Sequence, residues 1–164
     1  MTDHRGRFLL NELQAFFATH ASVVLLDTRG RQRLEASCMN AFVGDLRDRL
    51  PPNVGTGIGF YAAFSWDLVP CACGAEAEAE YQLSVAKGDA SFFVVPEVPD
   101  KYALRCEGRL PSTKALFDHF GLDRPADLVL VDAALTWTFV LLRERIPPRT
   151  YFAHALEPDT APTS

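Results

Sequence analysis

The sequence predicts an α+β domain, with a mixed or mainly antiparallel sheet of about five or six strands and about three helices. Stretches with helical periodicity are separated by short apolar runs typical of strands, and strands dominate the second half of the chain. These elements do not alternate regularly as βαβ units do, which favours α+β over a doubly wound sheet. The 164 residues, 48% hydrophobic and 23% charged, fit one globular domain. We expect a single domain over 1–164, with frayed ends at 1–5 and 157–164.

The N-terminal part of the chain predicts a helix, a hairpin and a second helix. Apolar residues recur at helical spacing over 6–19, and a β-branched run over 21–27 predicts a strand. Residues 28–31 contain a glycine and are typical of a tight turn, so 32–37 would form the return strand of a hairpin. Helical spacing returns from 39 to 50, where two prolines follow.

The remaining helices and strands are predicted from local composition and from residues that begin or end such elements. An Ala- and Glu-rich stretch predicts a helix over 74–87, and Ser112 is a good N-cap for a short helix that ends at 120. Aromatic and β-branched runs predict strands over 60–68, 91–95, 101–106, 127–131 and 136–142, with a short edge over 149–154. Both faces of 136–142 are partly apolar, which indicates a central strand that is covered on both sides.

Charge is distributed unevenly and suggests a partner-binding segment. The net charge is −5, which argues against nucleic acid as a partner. Residues 51–100 contain seven acidic residues and one basic residue. An acidic surface would steer a basic protein towards it; the alternative is a solvated helix face. The predicted contact residues are Glu76, Glu78, Glu80, Asp89 and Asp100.

The sequence predicts a cytoplasmic location. The apolar run after the first arginines is interrupted by polar residues, unlike a signal peptide, and no stretch is long enough to span a membrane. The four cysteines are therefore expected to be reduced thiols.

Common cofactor and metal motifs do not fit this sequence. The glycine-rich run at 55–59 lacks the third glycine of a dinucleotide fingerprint and the Gly-Lys-Ser/Thr of a phosphate-binding loop. Cys71 and Cys73 are too close in sequence for a typical zinc pair, and a second pair is missing. We therefore predict no cofactor, no metal and no catalytic residue.

An enzyme or ligand-binding domain remains the alternative hypothesis. Nucleophilic catalysis needs a thiol or hydroxyl with a base within reach. The candidates for such a pocket are Cys71, Cys106, His119 and Glu144, which only the tertiary fold could bring together.

The second half of the chain contains an ordered set of aromatic positions. The run Leu128–Asp132 is followed by Trp137-Thr138-Phe139-Val140 and by Tyr151-Phe152. This pattern resembles a family of small bacterial proteins, the DUF4275-like family, and the similarity extends over roughly 57–153. Leu142-Arg143-Glu144 stands where the family has Thr-His-Glu, so only the glutamate matches. The resemblance implies a fold rather than an activity. For small bacterial proteins of this kind, we expect the gene to lie beside a toxin gene.

Together these features predict a non-enzymatic protein-interaction domain. Its most specific form is an immunity-type protein that binds and blocks a basic bacterial toxin. A third hypothesis is a subunit that pairs with its own copy through an exposed aromatic face.

Overall fold

The computed structural model describes residues 4–44, 71–96, 102–120, 127–142 and 150–156. Within these ranges the α-helices are α1 (His4–Ala18), α2 (Thr28–Cys38), α3 (Ala75–Ala86) and α4 (Thr113–Phe120), and a π-helical turn, Met39–Val43, extends α2. The strands are β1 (Ala21–Leu26), β2 (Ala72–Cys73), β3 (Asp89–Pro96), β4 (Ala103–Arg109), β5 (Leu128–Asp132), β6 (Trp137–Leu141) and β7 (Thr150–His154).

The strands form one seven-stranded sheet in the order β1-β4-β3-β5-β6-β7-β2, and every neighbouring pair is antiparallel. The α+β fold class is thus confirmed, with four α-helices and seven strands in the described parts of the chain. None of the described helices combines the length and the apolar character that crossing a membrane would require.

Both faces of the sheet carry buried side chains. On one face, α1, α3 and α4 contribute Leu13, Tyr81 and Leu116 to a cluster that also contains Phe139. On the other face, α2 and the π-helical turn pack over a second cluster, which contains Val140. Neighbouring residues of β6 therefore belong to opposite clusters, as the sequence predicts for a central strand covered on both sides.

The predicted hairpin at 28–37 is wrong, because these residues form α2. The side chain of Asp27 caps this helix by accepting a hydrogen bond from the Gly30 amide at 2.9 Å. Arg31, Leu34 and Cys38 are the buried residues of α2, and their spacing of three and four places them on one helical face. The glycine that suggested a turn lies inside the first turn of the helix.

The other predicted helices and strands in the described ranges are present, with small shifts of their ends. The stretch at 149–154 is not an edge, because β7 lies between β6 and the two-residue strand β2. The strand predicted at 60–68 and the second half of the helix predicted at 39–50 lie outside the described residues.

Candidate partner-binding surface

Helix α3 is held on the sheet by one narrow buried stripe. Ala77 and Tyr81, four residues apart, are fully buried. The Tyr81 ring stacks on Phe139 with 4.3 Å between ring centroids, and its hydroxyl donates a 2.6 Å hydrogen bond to the Pro111 carbonyl. Leu83 lies on the side of the helix that faces away from this stripe and is exposed to solvent.

The start of α3 is joined to strand β7. The Gly74 amide donates to the Thr150 carbonyl at 2.9 Å, and the Thr150 hydroxyl donates to the Gly74 carbonyl at 3.1 Å. Glu76 and Glu78 lie in the first turn, where carboxylates interact favourably with the helix dipole. These contacts fix where the acidic residues of the helix stand relative to the sheet.

The solvent side of α3 exposes one large apolar side chain. Leu83 is 64% exposed and is one of three exposed large hydrophobic residues in the described parts of the chain. The other members of this side are exposed alanines at helical spacing from Leu83: Ala75, Ala79 and Ala86. We call these four residues the outer face of α3. Small side chains around one large apolar residue leave room for another molecule to approach closely.

Two of the predicted glutamates border this outer face. Glu76 and Glu80 are one helical turn apart, and Leu83 lies seven and three residues after them, on the same side of the helix. The Glu80 carboxylate is 3.5 Å from Nε2 of His154 on β7, and both side chains are partly exposed. A protonated His154 would therefore neutralise part of the Glu80 charge.

The remaining predicted contact residues do not join this border. Glu78 lies two residues from both Glu76 and Glu80, so helical geometry places it on the opposite flank. Asp89 is exposed at the start of β3, where its register partner is Arg109 on β4. Asp100 lies outside the described residues. The structure therefore brings together Glu76 and Glu80, and it places Glu78 and Asp89 elsewhere.

A hollow of about 370 Å³ lies beside Glu80. Its lining combines Glu80 and His154 with Cys71, Phe152 and the residues next to them in sequence. Cys71 packs with Tyr151 against the cluster on the α2 face, whereas Phe152 belongs to the cluster on the α3 face. Because strand residues alternate between faces, His154 shares the α3 face with Phe152. Cys71 therefore lines the hollow from the α2 face of the sheet, and the His154–Glu80 pair lines it from the α3 face.

The other residues of the pocket hypothesis are dispersed. Cys106 is buried on β4, and burial raises the pKa of its thiol to about 12. Cys71 precedes β2, five strand spacings away, which corresponds to about 24 Å. His119 stacks on Phe16 with 4.6 Å between ring centroids, and Glu144 lies outside the described residues.

Metal binding has no support in the described parts of the chain. They contain no group of three or more His, Cys, Asp or Glu side chains placed to hold an ion. Cys38, like Cys106, is buried in apolar packing, and desolvation together with nearby Glu35 raises the pKa of its thiol to about 12. Neutral thiols of this kind are poor nucleophiles and poor ligands.

Sequence analysis missed Leu83 and His154. Leu83 is two residues from Tyr81, so it faces away from the buried stripe once that stripe is known. The pairing of His154 with Glu80 depends on the docking of α3 against β7, which joins residues distant in sequence. Both residues therefore stand out only when the tertiary packing is known.

Comparison of the chain with protein-family models, curated proteins and solved structures found no match. The resemblance to DUF4275-like proteins therefore stays a prediction that rests on the residue pattern.

Proposed function

We propose that this protein is an interaction domain that binds a basic protein partner through the outer face of α3. The observation that carries the proposal is Leu83, a leucine that is 64% exposed amid exposed alanines. Burying such a side chain in a partner's apolar pocket contributes about 1.5–3 kcal/mol. A contiguous exposed apolar patch rimmed by polar residues is typical of a protein-interaction site, and we propose that Leu83 is the centre of such a patch on the outer face of α3.

Charge determines the kind of partner. Glu76 and Glu80 border Leu83 on one side, and Glu78 adds a third carboxylate on the other flank of the helix. Lys87, beyond the last turn, is the basic residue that follows them. A partner with an apolar pocket surrounded by lysines and arginines would complement this arrangement, and electrostatic attraction would speed its association.

The narrower form of the proposal is an immunity-type protein whose partner is a bacterial toxin. The catalytic clefts of enzymes that act on nucleic acids are basic, so an acidic helix with a central leucine is suited to cover one. The resemblance to small bacterial proteins supports the same form. Identification of the partner tests it directly.

The alternative, a pocket-based enzyme or ligand-binding domain, has less support from the geometry. The hollow beside Glu80 offers a carboxylate and an imidazole, and Cys71, which also lines it, packs against the cluster on the α2 face. Nucleophilic catalysis requires the nucleophile and the base within hydrogen-bond reach.

The test is a comparison of baits in the lysate of the producing organism, followed by titration calorimetry with the purified partner. The baits are the wild-type chain, Leu83→Asp and the double variant Glu76→Lys/Glu80→Lys. The matched control is Glu107→Lys, which makes the same kind of charge change at an exposed site on β4. We expect one basic partner that the wild type and the control retain and that both α3 variants lose.

Titration calorimetry measures how much each substitution weakens the affinity for the partner. Leu83→Ala should weaken binding about tenfold or more, because it removes most of the buried apolar area of the leucine. Added salt should weaken binding to the wild type more than binding to Glu76→Lys/Glu80→Lys. Equal capture by the wild type and Leu83→Asp, or the absence of a partner from every bait, would contradict the proposal.

A further inference from the structure

Strand β1 is the first strand of the sheet and presents one edge outward. It pairs with β4, from Ala21↔Gly108 to Leu26↔Ala103, and no other described strand pairs with it. The His20 carbonyl accepts a 3.0 Å hydrogen bond from the Arg109 amide. Because hydrogen-bonded residues alternate along an antiparallel pair, the even-numbered residues of β1 bond to β4. The amides and carbonyls of the odd-numbered residues of β1 (Ala21, Val23 and Leu25) therefore point away from the sheet.

Residues 21–26 themselves carry none of the sequence features that usually protect an edge strand against pairing. Monomeric proteins commonly protect an exposed edge strand with a charged residue, a proline or a bulge. Residues 21–26, ASVVLL, contain neither a charge nor a proline. Val24 is 58% exposed and Leu25 is 47% exposed, so β1 contributes two of the three exposed large hydrophobic residues of the described chain.

We propose that β1 pairs antiparallel with β1 of a second copy of this chain, with Val24 on the two-fold axis. Only the odd-numbered residues of β1 have backbone groups that point outward, so in the dimer odd-numbered residues must lie opposite odd-numbered ones and even-numbered opposite even-numbered. With Val24 opposite Val24, Leu25 lies opposite Val23 and Ser22 opposite Leu26. This register covers both exposed apolar side chains and joins the two seven-stranded sheets into one continuous sheet.

The composition of β1 favours a second copy over a foreign segment. A symmetric pair places each residue against its own strand, so any charge near the axis would meet a like charge. In this register Asp27 lies opposite Ala21 and His20 opposite Thr28, so charged groups do not face each other. A basic segment, which suits α3, would gain no ion pair from the uncharged strand β1.

The dimer does not compete with the partner proposed for α3. Helix α3 packs against β7 and β2, at the opposite end of the strand order from β1. Pairing through a single six-residue strand is a small interface, so we expect a weak dimer with a Kd on the order of 10 µM.

The test is sedimentation equilibrium of the full chain over a range of concentrations, with Val24→Lys and Val24→Glu as variants. Each variant alone should dimerise at least about tenfold more weakly, because two like charges would meet on the axis. An equimolar mixture of the two variants should recover dimer, since a lysine of one copy then meets a glutamate of the other. Ala134→Lys, at an exposed position in the turn after β5 and outside both proposed surfaces, is the control and should dimerise like the wild type.

Disulfide cross-linking provides a second measurement of the dimer, which does not depend on the folding of the charged variants. Non-hydrogen-bonded partners in an antiparallel pair have Cα atoms about 4.5 Å apart, within disulfide range. In a Cys73→Ala background, which removes the exposed native thiol, mild oxidation should convert Val24→Cys to a covalent dimer. Ala134→Cys and the background chain should stay uncross-linked. A wild-type chain that stays monomeric, a dimer unaffected by Val24→Lys, or equal cross-linking of the two cysteine variants would overturn the proposal. Capture of a foreign peptide by a monomeric wild type would do so as well.

Discussion

Tyr81 shows how one residue fixes the helix on which the proposed function depends. Its ring is fully buried between α3 and the sheet, where it stacks on Phe139 and contacts Trp137 edge-on. Its hydroxyl satisfies the Pro111 carbonyl just before α4. Burial disfavours the charged phenolate and raises the pKa of the phenol, so the group stays a neutral donor.

We expect Tyr81→Phe to lower the free energy of unfolding by about 1–2 kcal/mol. The substitution keeps the stack on Phe139 but leaves the buried Pro111 carbonyl without its donor. Urea denaturation measures the change. Phe139→Leu is the complementary variant, because it removes the stack and keeps the hydrogen bond. An unchanged unfolding midpoint for Tyr81→Phe would show that another donor satisfies the carbonyl.

At the scale of elements, Gly108 allows β1 to approach β4. A Cβ atom at this position would lie 2.4 Å from the His20 carbonyl oxygen and 2.6 Å from the Ala21 Cα. Both are backbone atoms, so a change of rotamer cannot relieve the collision. The φ of Gly108 is also positive, +153°, which L side chains rarely adopt. The edge strand thus depends on the absence of a side chain at one position.

Gly108→Ala should therefore destabilise the protein by about 3 kcal/mol and loosen β1 in particular. The matched control is Gly88→Ala: this glycine also has a positive φ, +94°, but no atom lies within 4 Å of the new Cβ. The control should show the conformational cost alone, about 1–2 kcal/mol. Hydrogen exchange checks the localisation, because β1 amides should lose protection in Gly108→Ala only. Equal effects of the two variants would argue against the collision.

Local periodicity explains which elements can be predicted from the sequence. Helices α3 and α4 and strands β3 to β6 follow from spacing and from residues that end them, all within a short window. Helix α2 could not be predicted from apolar spacing, because its buried face contains Arg31, a charged residue. The Arg31 guanidinium donates to Glu35 one turn away and to the carbonyls of Pro96 and Tyr102. Those two carbonyls lie far along the chain, so no local pattern marks Arg31 as a core residue.

The candidate site also contains residues that the sequence predicts and residues that only the tertiary structure reveals. The glutamates of α3 are visible in the sequence as an acidic run, and helical geometry alone separates Glu78 from Glu76 and Glu80. Leu83 becomes notable only when Ala77 and Tyr81 are known to be buried. Exposure depends on which face of a helix the sheet covers, and that choice is made by tertiary packing.

At the scale of the whole molecule, the sheet separates two surfaces with different chemistry. One end of the strand order presents β1, which is uncharged and offers unpaired backbone groups. The other end carries α3, which is acidic and, in the proposed function, would bind through its side chains. Strand pairing is insensitive to salt, whereas attraction to an acidic helix is screened by it. The two proposed interactions can therefore be separated by ionic strength in one preparation.

Buried thiols on both sheet faces should make the stability of the fold fall at alkaline pH. Cys38 lies in the cluster under α2, Cys106 lies in the cluster under α1, and burial raises the pKa of each thiol from 9.0 to about 12. A group whose pKa is higher in the folded state stabilises that state fully below the unfolded pKa. The contribution is lost as pH rises from about 9 through about 12. Over that interval Cys38 alone should lower the free energy of unfolding by about 1 kcal/mol per pH unit, and Cys106 adds to the loss.

Urea unfolding at pH 7.5 and pH 10.5, with a reductant present, measures this loss. The double variant Cys38→Ala/Cys106→Ala should be less stable than the wild type at pH 7.5, because it loses packing in both clusters. Its stability should nevertheless fall less between the two pH values, because neither buried thiol remains to ionise. An exposed cysteine provides the control: Cys73→Ala should keep the wild-type pH dependence. An equal fall in the wild type and the double variant would assign the alkaline sensitivity to other groups, such as the buried phenol of Tyr81, whose pKa burial also raises.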